Sequence, residues 1–193
     1  MKHMLCAALS ALALLTPALA SAADPPPATK SDGKTYKQDE ILREAGAFFG
    51  KGAEGLGKVI AKAFKEQGEP DGYIKGDEGG GAIGVGLRYG KGTLHLHGGD
   101  SLPVYWQGPS IGFDLGGNAA KAFVLVYKLK DTDKLFRRYP GVDGSLYFVG
   151  GVGLNYVRRD GTTLAPIRLG VGWRQGANVG YMHFTRKKSL NPF

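Results

Sequence analysis

Between Pro70 and Arg186 apolar residues recur at every second position in short runs, and glycine falls inside those runs as well as between them. A period of two predicts strands rather than helices. Glycine makes up 32 of the 193 residues, and Gly80, Gly84, Gly86, Gly112, Gly116, Gly150, Gly151, Gly153, Gly170, Gly172 and Gly180 cannot all be turns. Where glycine alternates with apolar residues, as in Gly84-Val85-Gly86 and Gly170-Val171-Gly172, one strand face carries side chains and the other is almost bare. Such a face lets a small barrel bend sharply or accept a helix, the preferred reading, or it leaves a slot for a ligand chain. Strands are predicted over 73–78, 82–89, 93–97, 104–107, 111–115, 121–129, 145–157, 162–173 and 177–185. Gly90-Lys91-Gly92 reads as a tight turn between two of them, and Asp160-Gly161 as a hairpin turn. Residues 131–139 read as a short helix capped by Asp131, with Leu135 and Phe136 turned inward. The expected fold is mainly β: a small antiparallel β-barrel, because closure removes exposed strand edges.

Upstream the pattern changes twice. Residues 1–23 have a secretory signal peptide's organisation: Lys2 and His3, an apolar run from Met4 to Leu19, then small residues, with cleavage expected after Ala22 or Ala23. Residues 24–37, with Pro25-Pro26-Pro27, are too poor in apolar groups to offset the entropy of ordering and read as a flexible spacer. From Asp39 to Gln67 the period is helical. Ile41, Leu42, Ala45, Phe48, Phe49, Leu56, Val59, Ile60, Ala63 and Phe64 recur three and four residues apart, while Lys51, Lys58, Lys62 and Lys65 fall elsewhere. Gly50, Gly52, Gly55 and Gly57 weaken any helix interior, so the amphipathic segment is either two short helices or one lying closely against a neighbouring backbone. Residues 38–193 are expected to form a single helix-plus-barrel domain.

The only cysteine, Cys6, lies in the leader, which excludes a disulfide, thiol catalysis and Cys-ligated zinc from the processed chain. Without the leader the net charge is about +7. In an exported protein that balance points to anionic lipid, lipopolysaccharide phosphate or acidic polymers rather than nucleic acid, or simply to solvation.

Several patterns mimic catalytic sites. Gly79-Gly80-Gly81-Ala82-Ile83-Gly84 matches a dinucleotide-binding fingerprint, but strand pattern follows it where a helix N-terminus is needed. Gly108-Pro109-Ser110-Ile111-Gly112 matches a nucleophile elbow, with Asp143 and His183 downstream, yet Ile111, Phe113 and Leu115 alternate as a strand does. His95 and His97, two apart on a strand, lack a clear third and fourth metal ligand. Asp77 and Glu78 point to opposite faces of a strand and so cannot share acid–base work. The sequence thus offers no catalytic residues, no metal site and no cofactor. Tyr105, Trp106, Trp173, Tyr181 and Phe184 lie beside Gln107, Arg168, Arg174 and Arg186, a combination suited to amphipathic ligands. The candidate ligand-binding residues are therefore Tyr105, Trp106, Gln107, Arg168, Trp173 and Arg174. The tail Arg186-Lys187-Lys188 suits anionic headgroups.

Residues 36–193 resemble the envelope integrity protein A (EipA) family of Gram-negative bacteria. The resemblance is carried by Gly72-Tyr73-Ile74, Gly79 to Gly81, Leu87-Arg88-Tyr89-Gly90, Tyr105 to Gly112, Val124-Leu125-Val126-Tyr127, Gly141-Val142-Asp143-Gly144, Gly150-Gly151-Val152-Gly153, Leu164 to Arg168, Gly176 to Tyr181 and Asn191-Pro192-Phe193. It implies a soluble periplasmic small barrel that supports cell-envelope integrity with no known enzymatic activity. Ser110 then belongs to a family motif that needs no catalysis to explain it. A more distant similarity, to SYLF lipid-binding domains, rests on the order of a glycine-rich strand, a serine-glycine strand and a Val-Leu-Val-Tyr-like strand. It makes an envelope lipid, a lipopolysaccharide intermediate or a periplasmic protein the expected partner, with peripheral membrane contact. The competing readings are a small outer-membrane β-barrel and a serine hydrolase using Ser110.

Overall fold

The computed structural model describes residues 34–50, 53–81, 85–111, 120–169 and 180–189. Two helices come first, α1 (Gln38–Phe49) and α2 (Leu56–Gln67). Ten strands follow: β1 (Gly72–Gly81), β2 (Val85–Leu96), β3 (Ser101–Ile111), β4 (Ala120–Tyr127), β5 (Arg138–Pro140), β6 (Tyr147–Val149), β7 (Val152–Leu154), β8 (Val157–Arg159), β9 (Thr162–Leu169) and β10 (Tyr181–Thr185). All pair antiparallel in one sheet of order β5-β10-β3-β2-β1-β4-β9-β7-β6, with β8 also on β9. The sheet curls until β8 meets the chain just past β5, where Gly141 bridges Val157. The mainly β, barrel-like expectation therefore holds.

Of the two helical alternatives the chain takes two short helices. Gly50 ends α1 with φ at +79°, a left-handed conformation that glycine adopts without a Cβ penalty. The Glu40 carboxylate accepts a hydrogen bond from the Lys37 N–H at 2.8 Å and fixes the helix start. The spacer's predicted end is held in place: the Tyr36 N–H donates to the Pro70 carbonyl and its hydroxyl to the Leu96 carbonyl at 3.1 Å.

Strand alternation sorts the apolar residues into two cores. On β4, Phe123, Leu125 and Tyr127 face outward against Ile41, Ala45, Phe49, Val59, Ile60 and Ala63 of the helices. Ala122, Val124 and Val126 face the barrel interior with Ile74, Leu94, Val104, Trp106, Leu164, Met182 and Phe184. β4 is therefore apolar on both faces and reads as a continuous run, the pattern of a strand covered on both sides. Each large side chain so buried contributes roughly 1.5–3 kcal/mol. The helices thus pack on the side-chain-bearing outer face; of the glycine-alternating runs, Gly84 and Gly170-Val171-Gly172 lie outside the described residues.

The structure departs from the expected boundaries where glycine and proline suggest breaks. Gly90-Lys91-Gly92 lies in the middle of β2, paired on both sides. Residues 101–111 are likewise one strand, β3, although Pro103 and Pro109 interrupt it. Both prolines are paired to β2, Pro103 opposite Thr93 and Pro109 opposite Leu87, and they flank the residues Tyr105, Trp106 and Gln107 that pair with β10. The predicted helix over 131–139 shrinks to a single 3-10 turn at Thr132–Leu135, followed directly by β5, although the Asp131 side chain does cap it. The strand predicted over 145–157 splits into β6, β7 and the start of β8, turning at Gly150 and Gly151, both with positive φ. Asp160 (φ +48°) and Gly161 (φ +86°) form the predicted hairpin turn.

Candidate functional site

The register of β1 and β2 sends Gly76, Glu78, Gly80, Arg88, Gly90 and Gly92 into the barrel, and Asp77, Gly79, Tyr89 and Lys91 to the outer wall. β3 continues both rows, with Trp106 inward and Tyr105 and Gln107 outward. The candidate residues therefore separate by face. Tyr105 and Gln107 lie on the outer wall; Trp106 and Arg168 belong to the interior. Trp173 and Arg174 lie outside the described residues.

Inside, the Arg168 guanidinium pairs with both oxygens of the Glu78 carboxylate, Nε to Oε1 and a terminal nitrogen to Oε2 at 3.2 Å. Trp106 Nε1–H donates to the same Oε2 at 3.0 Å, and Arg168 also donates to the Asn155 side-chain oxygen at 3.2 Å. All four residues are at most 3% exposed. Burial alone would raise the Glu78 pKa, but the charges of Arg168 and Arg88, with the hydrogen bonds from Arg168 and Trp106, hold it below the usual carboxylate range. This assembly closes one end of the apolar interior with satisfied polar groups, a structural task. The spacing Leu87-Arg88-Tyr89-Gly90 carried part of the signal for it, since alternation turns Arg88 the same way as Gly90, but only the β1–β2 register sets Glu78 on that face.

On the opposite side of the same three strands is a cleft of about 450 Å³. Tyr89, Lys91, Tyr105 and Gln107 line it, Glu78, Gly90 and Trp106 also contribute to its lining, Gly79 adds no side chain, and Lys188 and Ser189 of the C-terminal tail border it. Nothing would lie within 4 Å of a Cβ at Gly79, so here the missing side chain is open space rather than a packing device. Two phenol rings supply apolar area with polar tips, Lys91 and Lys188 supply cations, and Asp77 stands at one side. Lys91 and Lys188 were not among the candidates; the basic tail and the turn-like Gly90-Lys91-Gly92 had been read separately, and only the pairing of β3 with β2 and β10 brings them together.

The catalytic look-alikes lose their geometry. Gly108, Pro109 and Ser110 are extended residues of β3 paired to β2, with no strand-to-helix turn. Gly79 to Gly81 end a strand and no helix follows them among the described residues. His95 stacks on Tyr73 with ring centroids 5.1 Å apart and shares a hydrogen bond with the Ser101 hydroxyl at 3.1 Å. His97 sits edge-on to Tyr36 in the turn after β2. Among the described residues no group of three or more His, Cys, Asp or Glu side chains is placed to hold a metal ion.

A curled antiparallel sheet with a packed interior and two helices on its outer wall defines a small barrel-like protein. Residues 34–193 match the family model of Envelope integrity protein A, and the chain belongs to that family. The fold agrees with the crystal structure of a beta-barrel-like, uncharacterized protein from Brucella abortus, 43% identical, covering 83% of this chain and 99% of that one with a TM-score of 0.76. No curated protein matches the chain.

Proposed function

We propose that this protein supports the cell envelope without catalysis, as an exported periplasmic barrel that holds the anionic headgroup region of an envelope lipid or lipopolysaccharide component. The carrying observation is the outer cleft, where Tyr89 and Tyr105 face Lys91 and Lys188 over the bare Gly79 floor. Aromatic walls with a few placed cations suit an amphiphile bearing phosphate or carboxylate. The family name supports the envelope role, and the leader-like residues 1–23 support export with cleavage after Ala22 or Ala23.

An outer-membrane barrel would require an apolar lipid-facing band and a polar lumen. The arrangement here is the reverse: Ile74, Leu94, Val104, Trp106 and Phe184 fill the interior, while Lys75, Asp77, Lys91 and Thr93 occupy outward positions on β1 and β2. The extended backbone at Ser110 weighs against the hydrolase.

Native mass spectrometry of protein released from the periplasm without detergent, followed by solvent extraction of the released material, tests the reading. A stoichiometric lipid or glycolipid adduct is expected. A bare mass that persists after incubation with lipopolysaccharide and anionic phospholipid overturns it, and redirects the role to contacts with periplasmic proteins.

A further inference from the structure

The interior polar cluster is not balanced in charge. Arg88 of β2 faces the same space as Glu78 and Arg168, paired with Gly80 on β1 and Gly108 on β3. Among the charged groups of this cluster, two guanidiniums meet one carboxylate. That carboxylate's oxygens already accept from Arg168 at both atoms and from Trp106. The Arg88 Nε is buried and has no hydrogen-bond partner. Burial first, and then the nearby Arg168 charge, push the Arg88 pKa down to about 10 against the opposing pull of Glu78. A desolvated guanidinium with an unused donor is costly in a folded protein unless an anion meets it.

We propose that the barrel interior contains an oxyanion site built on Arg88 and backed by Arg168, which takes a phosphate or carboxylate group. A guanidinium presents its donors as a planar fork that matches two oxygens of such a group, and a lysine in its place supplies only a point charge. Glu78 sets the position of Arg168 and is already saturated, so an incoming oxyanion meets Arg88 first. Neither Arg88 nor Arg168 is among the residues that line the outer cleft, so the two sites can be tested separately.

The test uses the purified protein, dialysed into anion-poor buffer, with inorganic phosphate, glycerol phosphate and acetate as probes and sodium chloride as an ionic-strength control. Calorimetry and thermal unfolding should show saturable binding of at least one oxyanion and a Tm that rises with its concentration. Arg88→Gln should abolish both effects while leaving the anion-free protein at least as stable as the parent. Arg88→Lys, kept as the second variant, should bind at least about tenfold more weakly. Equal affinity for inorganic and glycerol phosphate would identify a free ion as the source, and binding of glycerol phosphate alone a lipid or sugar headgroup. The proposal is overturned if no probe acts beyond chloride, or if Arg88→Gln binds as the parent does. It is also overturned if Arg88→Gln is destabilised in anion-free buffer as much as Arg168→Gln, since Arg88 would then be a structural partner of Glu78 alone.

Discussion

The indole of Trp106 on β3 occupies the space that Gly90 on β2 leaves empty. A Cβ at Gly90 would fall inside the indole surface, and one at Gly76 on β1 would come within 2.7 Å of its far edge. Three neighbouring strands thus combine one very large and two absent side chains at one level of the barrel. The indole nitrogen reaches Glu78 only because it can lie flat against those strands. Large and small residues alternating around a narrow barrel are the usual way to fill its taper.

Gly90→Ala is therefore expected to destabilise the protein by about 1–3 kcal/mol through overpacking, with no effect through backbone conformation, because Gly90 has no positive φ. Trp106→Leu should cost about 3 kcal/mol or more by leaving a cavity and an unpaired Glu78 oxygen. The double variant should be less destabilised than the sum of the two, and urea unfolding of all four proteins measures the coupling. Simple additivity would mean that residue 90 does not meet the indole.

The buried pair gives a pH-dependent expectation. Glu78 is ionised in the fold with a pKa below that of the unfolded chain, so its contribution is present above the ordinary carboxylate value of 4.5 and is lost as pH falls through the lower, folded value. Glu78→Gln should cost about 3–5 kcal/mol at neutral pH, since it strands Arg168 and Arg88 together. The gap between parent and variant should narrow progressively below about pH 4.5. A gap independent of pH from 7 to 3 would show that shape, not charge, sets the loss.

What the sequence made legible follows from what is local. Period two announced the sheet, period 3.6 announced the helices, and Asp160-Gly161 announced its hairpin, because each signal acts through neighbouring residues. Gly90-Lys91-Gly92 misled because a glycine's role depends on what lies opposite: here Trp106, some 16 positions on in the chain. Pro103 and Pro109 misled for the same reason, since the strand that holds them is set by pairing with the distant residues Thr93 and Leu87 of β2. Within the candidate site, Tyr105, Trp106 and Gln107 line the cleft and Arg168 does not, while Trp106 and Arg168 both bond Glu78. Neighbours in sequence on a strand belong to different surfaces, so a cluster of aromatic and basic letters mixes two sites.

The junction between the helices and the sheet gives a paired prediction. Gly55, just before α2, lies against the β6–β7 turn so closely that a Cβ would run into the Val149 carbonyl oxygen and come within 3.2 Å of the Gly150 Cα. Gly57, two residues on, is exposed in the first turn of α2 with nothing within 4 Å of its position. Gly55→Ala should lower stability by about 1–3 kcal/mol, because backbone rather than a flexible side chain must give way. Gly57→Ala should be neutral or stabilise by up to about 1 kcal/mol through helix propensity. Thermal unfolding distinguishes them, and equal effects would mean that α2 does not seat on that turn.

The outer cleft makes the last prediction, and it is independent of folding. Lys91 is exposed and Tyr105 half-buried on the outer wall, away from both apolar cores. Lys91→Glu and Tyr105→Ala should therefore change thermal stability by less than about 1 kcal/mol. In vesicle co-sedimentation with anionic phospholipid, Lys91→Glu should weaken capture most at low salt, because it reverses a cation of the proposed headgroup cleft, and the difference should shrink as salt screens it. Tyr105→Ala should weaken capture at all salt concentrations, since the lost contribution is ring area rather than charge. If both variants bind as the parent does, the cleft is a surface feature and the envelope role lies elsewhere on the barrel.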